Sequence, residues 1–219
     1  LWEALQVNLI SPLSEAYKIP LVIEPDTSTI LLVKPLKVSY RFLHDRVQQA
    51  AYSLIPDSQK QATHLKIGQL LLKNTAIAER KENIFALVNH LNYGSDLLTL
   101  DAEKSELAEL NLIAGQKAKA ATAYESAMRY FRVGLGLLTA NSWQNQYELT
   151  LALYESAVET AYLNGDFEQM EQWATIVLQQ AKTPIDKMKV YEVKIQTCMA
   201  QVKQLEAIAI GLQALELLG

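Results

Sequence analysis

The sequence predicts a mainly α protein, with a small α/β part at the N-terminus followed by an antiparallel array of paired helices. Three observations carry this reading. From Asp57 onward, apolar residues recur at three- and four-residue spacing, which gathers them on one face of a helix. Short apolar, β-branched runs broken by prolines occur only earlier, at Tyr17 to Ile23 and Ile30 to Val33. The two regimes meet in one stretch, Tyr40 to Ile55, where an alternation of period two gives way to the helical period.

In chain order, Trp2 to Ile10 reads as a helix, with Leu5, Leu9 and Ile10 apolar around Gln6 and Asn8, and Ser11-Pro12 ends it. Glu24-Pro25-Asp26 and Lys34-Pro35 are turns between short strands. A helix followed by two or three short strands is the pattern of the back half of a winged helix, its wing near residues 24–29. Residues 1–55 are therefore expected to form a partial winged-helix-like segment ending in a strand-to-helix junction. At that junction Tyr40 and Phe42 alternate with polar neighbours. Leu43, Val47, Ala50, Ala51 and Leu54 then share a helical face, Asp45 is placed to cap the helix, and Pro56 closes it. Phe42, Val47, Ala51 and Tyr52 are expected to pack strand against helix, with Arg46, Gln48 and Gln49 pointing away.

Residues 56–219 are expected to be helical throughout. Asp57 or Ser58 caps a helix to about Lys73, burying Leu65, Leu70, Leu71 and Leu72. The next runs from Glu79 to Asn92, with Gly94 suited to a left-handed cap. Asp101 opens one to about Ala120, and Thr122 one to about Leu138. Asn141 or Ser142 caps a helix over Trp143 to Leu163, ended by Asn164-Gly165. Asp166 caps one to about Ala181, and Thr183-Pro184 opens one to about Val202. The last covers Leu205 to Leu218.

These helices pair, and the pairs repeat. A tetratricopeptide hairpin needs a small residue where its helices cross and an aromatic four residues on. Ala127 and Phe131 satisfy this, and Gly115, twelve residues earlier, supplies the small residue of the first helix. The corresponding crossings fall at Met170 and Ala207, spaced 43 and 37 residues apart. The tetratricopeptide norm is about 34. Met170 stands where the pattern wants alanine, and Ile195 where it wants glycine. The likeness thus holds for the helical hairpin, as a tetratricopeptide-like array over residues 56–219.

Composition bounds function. The chain has 219 residues, half of them hydrophobic, with a formal net charge of −4. That mild acidity, and a first helix without lysine or arginine, give no expectation of a nucleic-acid partner. No apolar run approaches the ~20 residues a membrane span requires, so no membrane partner is expected and a cytoplasmic location is. Cys198 is the single cysteine, so no internal disulfide can form. No Gly-x-x-x-x-Gly-Lys-Ser/Thr loop, kinase catalytic motif or Gly-x-Ser-x-Gly elbow occurs. Gly134-Leu-Gly136 lies inside a helical pattern, and His44, His64 and His90 lack ligand spacing. The expectation is a segment without catalytic residues, cofactor or metal.

Phe42-Leu-His-Asp-Arg-Val-Gln-Gln-Ala-Ala-Tyr-Ser-Leu-Ile55 resembles the signature that follows the ATPase module in large bacterial multi-domain signalling kinases. The resemblance continues through His64–Leu72, Ile84–Asn92, Ala114–Tyr124 and Ala161–Phe167, nearly the whole chain. In that family a serine/threonine kinase domain precedes a STAND-type, AAA-like ATPase. Helical repeats, a GAF sensor and a histidine kinase follow. The resemblance implies that this chain is the winged-helix end and helical-repeat region of such a protein. ATP and Mg would then belong to other domains of the parent. The neighbouring ATPase and sensor domains would be its partners, with a peptide or protein as a possible ligand. The alternative is the inducer-sensing helical-repeat region of a STAND-type transcription activator.

Two candidate sites follow. His44, Asp45, Arg46, Gln48 and Gln49 are candidates for coupling to the ATPase. In tetratricopeptide hairpins the first helices line the binding face. Counting from Gly115, Val158 and Ile195 selects Leu112, Gln116, Lys119, Glu155, Glu159, Tyr162, Glu192 and Gln196 as candidate partner-binding residues. Three carboxylates in that set suit a basic or mixed peptide.

Overall fold

The structure, a computed structural model, describes residues 2–7, 9–13 and 40–219. The runs at 17–23 and 30–33 and the proposed wing lie outside the described residues. The chain divides into two compact units, Leu1–Gln59 and Lys60–Gly219. It is mainly α, with a small α/β part at the N-terminus.

In the first unit, helix α1 (Trp2–Gln6) is shorter than the sequence suggests. Ile10 is not its last turn but the first residue of strand β1 (Ile10–Pro12), which pairs antiparallel with β2 (Tyr40–Phe42), Ile10 opposite Phe42 and Pro12 opposite Tyr40. Pro12 pushes Ser11 into the extended region, and a two-stranded ribbon tolerates the proline's missing N–H. Helix α2 spans Asp45–Ser53. Its N-cap is His44, in extended conformation, and Asp45 is already in the first turn, where its carboxylate faces the positive helix end. Phe42, Val47, Ala51 and Tyr52, expected to pack strand against helix, are not buried: α2 touches β2 but buries none of its residues, and Phe42 and Tyr52 are each 41% exposed. A three-residue strand offers too little surface to cover a helical face.

Helix α3 (Asp57–Asn74) buries one side only. Gly68 lies so close to Leu91 that an added Cβ would sit 2.6 Å from it, and Leu65 and Leu72 flank that contact. Leu70 and Leu71, expected inside, are exposed, because the 3.6-residue period turns them away. The helix expected over 79–92 is two, α4 (Ile77–Arg80) and α5 (Ile84–Tyr93). Gly94 follows α5 at φ −107°, so the expected left-handed cap is not there. Its glycine answers crowding instead: a Cβ would stand 2.7 Å from both the Gln61 carbonyl and Leu65.

Six helices then form three hairpins: α6 (Asp101–Ala120) with α7 (Tyr124–Leu137), α9 (Tyr147–Leu163) with α10 (Phe167–Gln180), and α11 (Pro184–Ala200) with α12 (Gln204–Leu218). A short α8 (Ser142–Asn145) precedes α9, so the helix expected over 143–163 is broken at Gln146. Asp166 caps α10 by accepting from the Gln169 N–H, and Thr183 and Asp186 form a reciprocal capping box on α11. Each later first helix packs on the hairpin before it: α9 on α6 and α7, α11 on α9 and α10.

One turn closes all three hairpins. Thr122, Gly165 and Val202 occupy it at φ 58°, 76° and 61°. The next residue's N–H reaches back to the carbonyl of Ala118, Ala161 or Cys198, at 3.0, 2.9 and 2.8 Å. This is the left-handed C-terminal closure that satisfies orphaned carbonyls. Thr122 therefore ends a helix rather than starting one. The register within each hairpin is also constant. Gly115, Val158 and Ile195 precede Phe131, Ala174 and Gly211 by the same sixteen residues. The spacings of 43 and 37 arise between hairpins, where α8 takes up the longer one.

Candidate functional site

Because α9 packs on α6 and α11 on α9, the three first helices lie side by side. Residues three and four apart on each helix share a face, and this surface carries most of the sequence-selected set. Lys119 of α6 donates to Glu159 of α9 at 2.9 Å. Lys189 of α11 stands 3.6 Å from the same Glu159 carboxylate and 3.6 Å from Glu192. Gln196 donates to Glu192 at 3.2 Å. Lys119, Glu159, Lys189, Glu192 and Gln196 thus form one continuous polar ladder across the three helices.

Burial pushes the Glu159 carboxyl up, but Lys119 and Lys189 more than offset this and hold it below the usual carboxylate range. Glu155 goes the other way. It is half-buried, and burial raises its carboxyl, with Asp186 and Glu159 adding repulsion that Lys189 counters only in part. Glu155 is the carboxylate of this face that the lysines leave least neutralised. Gln116, which holds on α6 the register position of Glu159 on α9, is exposed. Leu112 and Tyr162 are half-buried and pack against the core, so they support the face rather than line it freely.

Sequence reading missed Lys189, which ties α9 to α11, and the clamp at the edge of the face. There Tyr147 donates to Asp186 at 2.5 Å and accepts from the Lys182 backbone N–H at 2.8 Å. The Tyr147 hydrogen bond holds Asp186 below its ordinary value despite its partial burial. Neither residue belongs to the crossing-point register, so counting from Gly115 could not reach them. A search for Asp three residues into a Thr-Pro capped helix would have found Asp186.

The coupling candidates His44, Asp45, Arg46, Gln48 and Gln49 are all exposed on or beside α2. Gln48 and Gln49 do not point away from the aromatic residues. With Phe42, Asp45, Ala51, Tyr52 and Ile55 they line an open cavity of about 560 Å³. Among the described residues no group of three or more His, Cys, Asp or Glu is placed to hold a metal, and no helix is long and apolar enough to cross a membrane.

No family model and no solved structure matches the chain. It is similar to a protein of Dictyostelium discoideum described as hybrid signal transduction histidine kinase G, 29% identical over 170 residues, a match covering 66% of this chain and 5% of that protein. The chain corresponds to a small fraction of that relative's length.

Proposed function

We propose that this chain is a non-catalytic, tetratricopeptide-like coupling segment of a signalling ATPase-kinase, whose first-helix face holds a protein partner. The similarity to a hybrid histidine kinase supports the setting. The phosphoryl-transfer chemistry, with its ATP and Mg, would then reside in other domains of the parent. The exposed residues of α2 would meet the ATPase, and the ladder across α6, α9 and α11 would take the partner.

The observation that carries the reading is the placement of three carboxylates, Glu155, Glu159 and Glu192, on the first-helix face, with Glu155 half-buried. The Glu155 carboxyl sits among Asp186 and Glu159, with its charge disfavoured. A lysine or arginine from a partner would relieve that repulsion and form a charge-assisted hydrogen bond. The partner is therefore a peptide segment with a basic residue opposite Glu155.

Two otherwise identical peptide sets test this, one bearing lysine and arginine, the other glutamate, followed by backbone NMR shifts on the 219-residue chain. Basic peptides should perturb residues around Gln116, Glu155 and Gln196. Glu155→Gln should weaken them about tenfold, the loss of one hydrogen bond to a charged group. Equal response to both sets, or shifts confined to other faces, would refute the reading. Glu159→Lys is the poorer variant, since it breaks the ladder to Lys119 and Lys189.

A further inference from the structure

The hairpin repeat makes one surface of the second unit anomalous. Between α9 and α10 runs a groove floored by Leu151, Val158, Ala174 and Val177, and α11 packs over it. All four are buried, at 8%, 0%, 0% and 0% exposure. The same positions between α6 and α7 are Ala108, Gly115, Phe131 and Gly134, all buried where α9 packs. In the third hairpin these positions are Met188, Ile195, Gly211 and Ala214, and they line an open groove of about 560 Å³. Its wall is apolar. Leu215 is 64% exposed and Leu218 53%, whereas their counterparts Leu178 and Ala181 pack against the core.

We propose that the α11–α12 groove is the seat of a further helix of the α9 and α11 type, contributed by polypeptide outside these 219 residues. The chemistry of that helix can be read from its two precedents. Leu153, Ser156 and Thr160 of α9 match Val190, Val193 and Thr197 of α11, and all six are buried. Both threonine hydroxyls donate to the carbonyl four residues back, Ser156 or Val193, so they enter an apolar seat without an unpaired donor. The occupant thus carries an aliphatic residue, a small or β-branched residue three on, and a threonine seven on, with polar residues behind.

Position 208 refines the fit. In α10 the equivalent residue is Glu171, paired with Lys194 of α11. In α12 it is Ile208, 59% exposed. The occupant therefore has an apolar residue where α11 has Lys194. Position 212 supplies the control. Leu212 is 61% exposed, but its counterparts Arg132 and Thr175 are exposed even though a following helix is packed on each hairpin. Leu212 lies outside the seat, while the equally exposed Leu215 lies in it. Glu192 and Gln196 of the ladder also line this groove, but Glu155 does not, so the test of the ladder at Glu155 and the test of the seat at Leu215 fail separately.

The probe is the chain's own α11. A copy of residues 182–200, carrying Lys194→Met, is joined after Leu218, reproducing the spacing at which α11 follows α10. The melting temperature should rise by about 5 °C or more as the apolar groove is covered, and binding of a hydrophobic dye should fall. Leu215→Glu should abolish the rise, and Leu212→Glu should preserve it. No rise, or equal effects of the two substitutions, would overturn the proposal. Sedimentation of the unextended chain tests the competing occupant. A monomer is expected, and a dimer dissociated by Leu215→Glu would assign the groove to a second copy and overturn it too.

Discussion

Val202→Gly should stabilise the protein. Val202 holds the left-handed turn between α11 and α12 at φ 61°, the region that Gly165 occupies in the preceding hairpin. For an L-residue this region costs roughly 1–2 kcal/mol, with β-branched side chains at the upper end. Val202 is 77% exposed, so removing its side chain sacrifices little burial. Against the relief stands the extra backbone freedom that glycine gives the unfolded chain, about 0.5–1 kcal/mol. The net gain is about 1 kcal/mol, or about 2–4 °C for a chain of this size. Gly165→Val should lose about 1 kcal/mol, the strain it introduces less the unfolded-chain freedom it removes. Urea denaturation followed by far-ultraviolet circular dichroism reads both. If Val202→Gly is neutral or destabilising while Gly165→Val is harmless, the turn is not left-handed and the shared closure of the three hairpins is wrong.

Three further outcomes are expected. Asn111, fully buried on α6, exchanges two 2.8 Å hydrogen bonds with Asn92 of α5, so Asn111→Ala strands an amide and should cost about 2 kcal/mol in the same denaturation assay. The His64 and His90 Nδ1 atoms lie 2.9 Å apart, and burial, then the neighbouring His64, hold the His90 pKa below its ordinary 6.5. The unfolded chain therefore binds that proton more readily, so stability should fall as pH drops below about 6.5 and recover as it rises; a His90→Gln variant should show a shallower pH dependence. Arg46→Ala should leave the melting temperature unchanged, because Arg46 is exposed on a helix that buries nothing; a loss of many degrees would place it in the fold and remove the motive for its coupling role.

Where local chemistry decides, the sequence was legible. Asp166 and Thr183-Pro184 carry their own hydrogen-bonding partners, and α10 and α11 begin where those residues require. Where packing decides, it was not. Thr122 and Val202 have no preference for a left-handed turn, so two of the three closures were invisible while Gly165 was plain. The break at Gln146 carries no proline or glycine to announce it. Leu70 and Leu71 are as apolar as Leu65 and Leu72, and only the face of α3 that meets α5 separates them. The ladder was legible but for one rung: the register found Lys119, Glu159, Glu192 and Gln196, but Lys189 lies one turn before the counted positions.

The irregular crossing residues follow from one exchange of volume. In the first hairpin Gly115 faces Phe131, small on the first helix and large on the second. In the second, Val158 and Ala174 stand at the same positions, both intermediate in size and fully buried. In the third, Ile195 faces Gly211, large on the first helix and small on the second. Ile195 therefore departs from the expected glycine because its partner has shrunk. The consequence is a pair of glycines with opposite responses to one added methyl. In Gly115→Ala the new Cβ would lie 2.4 Å from the Phe131 ring, which is fully buried and cannot swing away. Overpacking costs about 1–3 kcal/mol, which outweighs the roughly 1 kcal/mol that alanine gains over glycine within a helix. In Gly211→Ala the nearest atom is Ile195 Cδ1 at 3.9 Å, ordinary contact, so only the helical gain remains. The first substitution should lower the urea midpoint and the second should raise it. Phe131→Leu should recover part of the Gly115→Ala loss by making room, a coupling that a double-mutant cycle reads directly. Additive effects, or matching shifts for the two glycines, would mean that the hairpins are not packed through these positions.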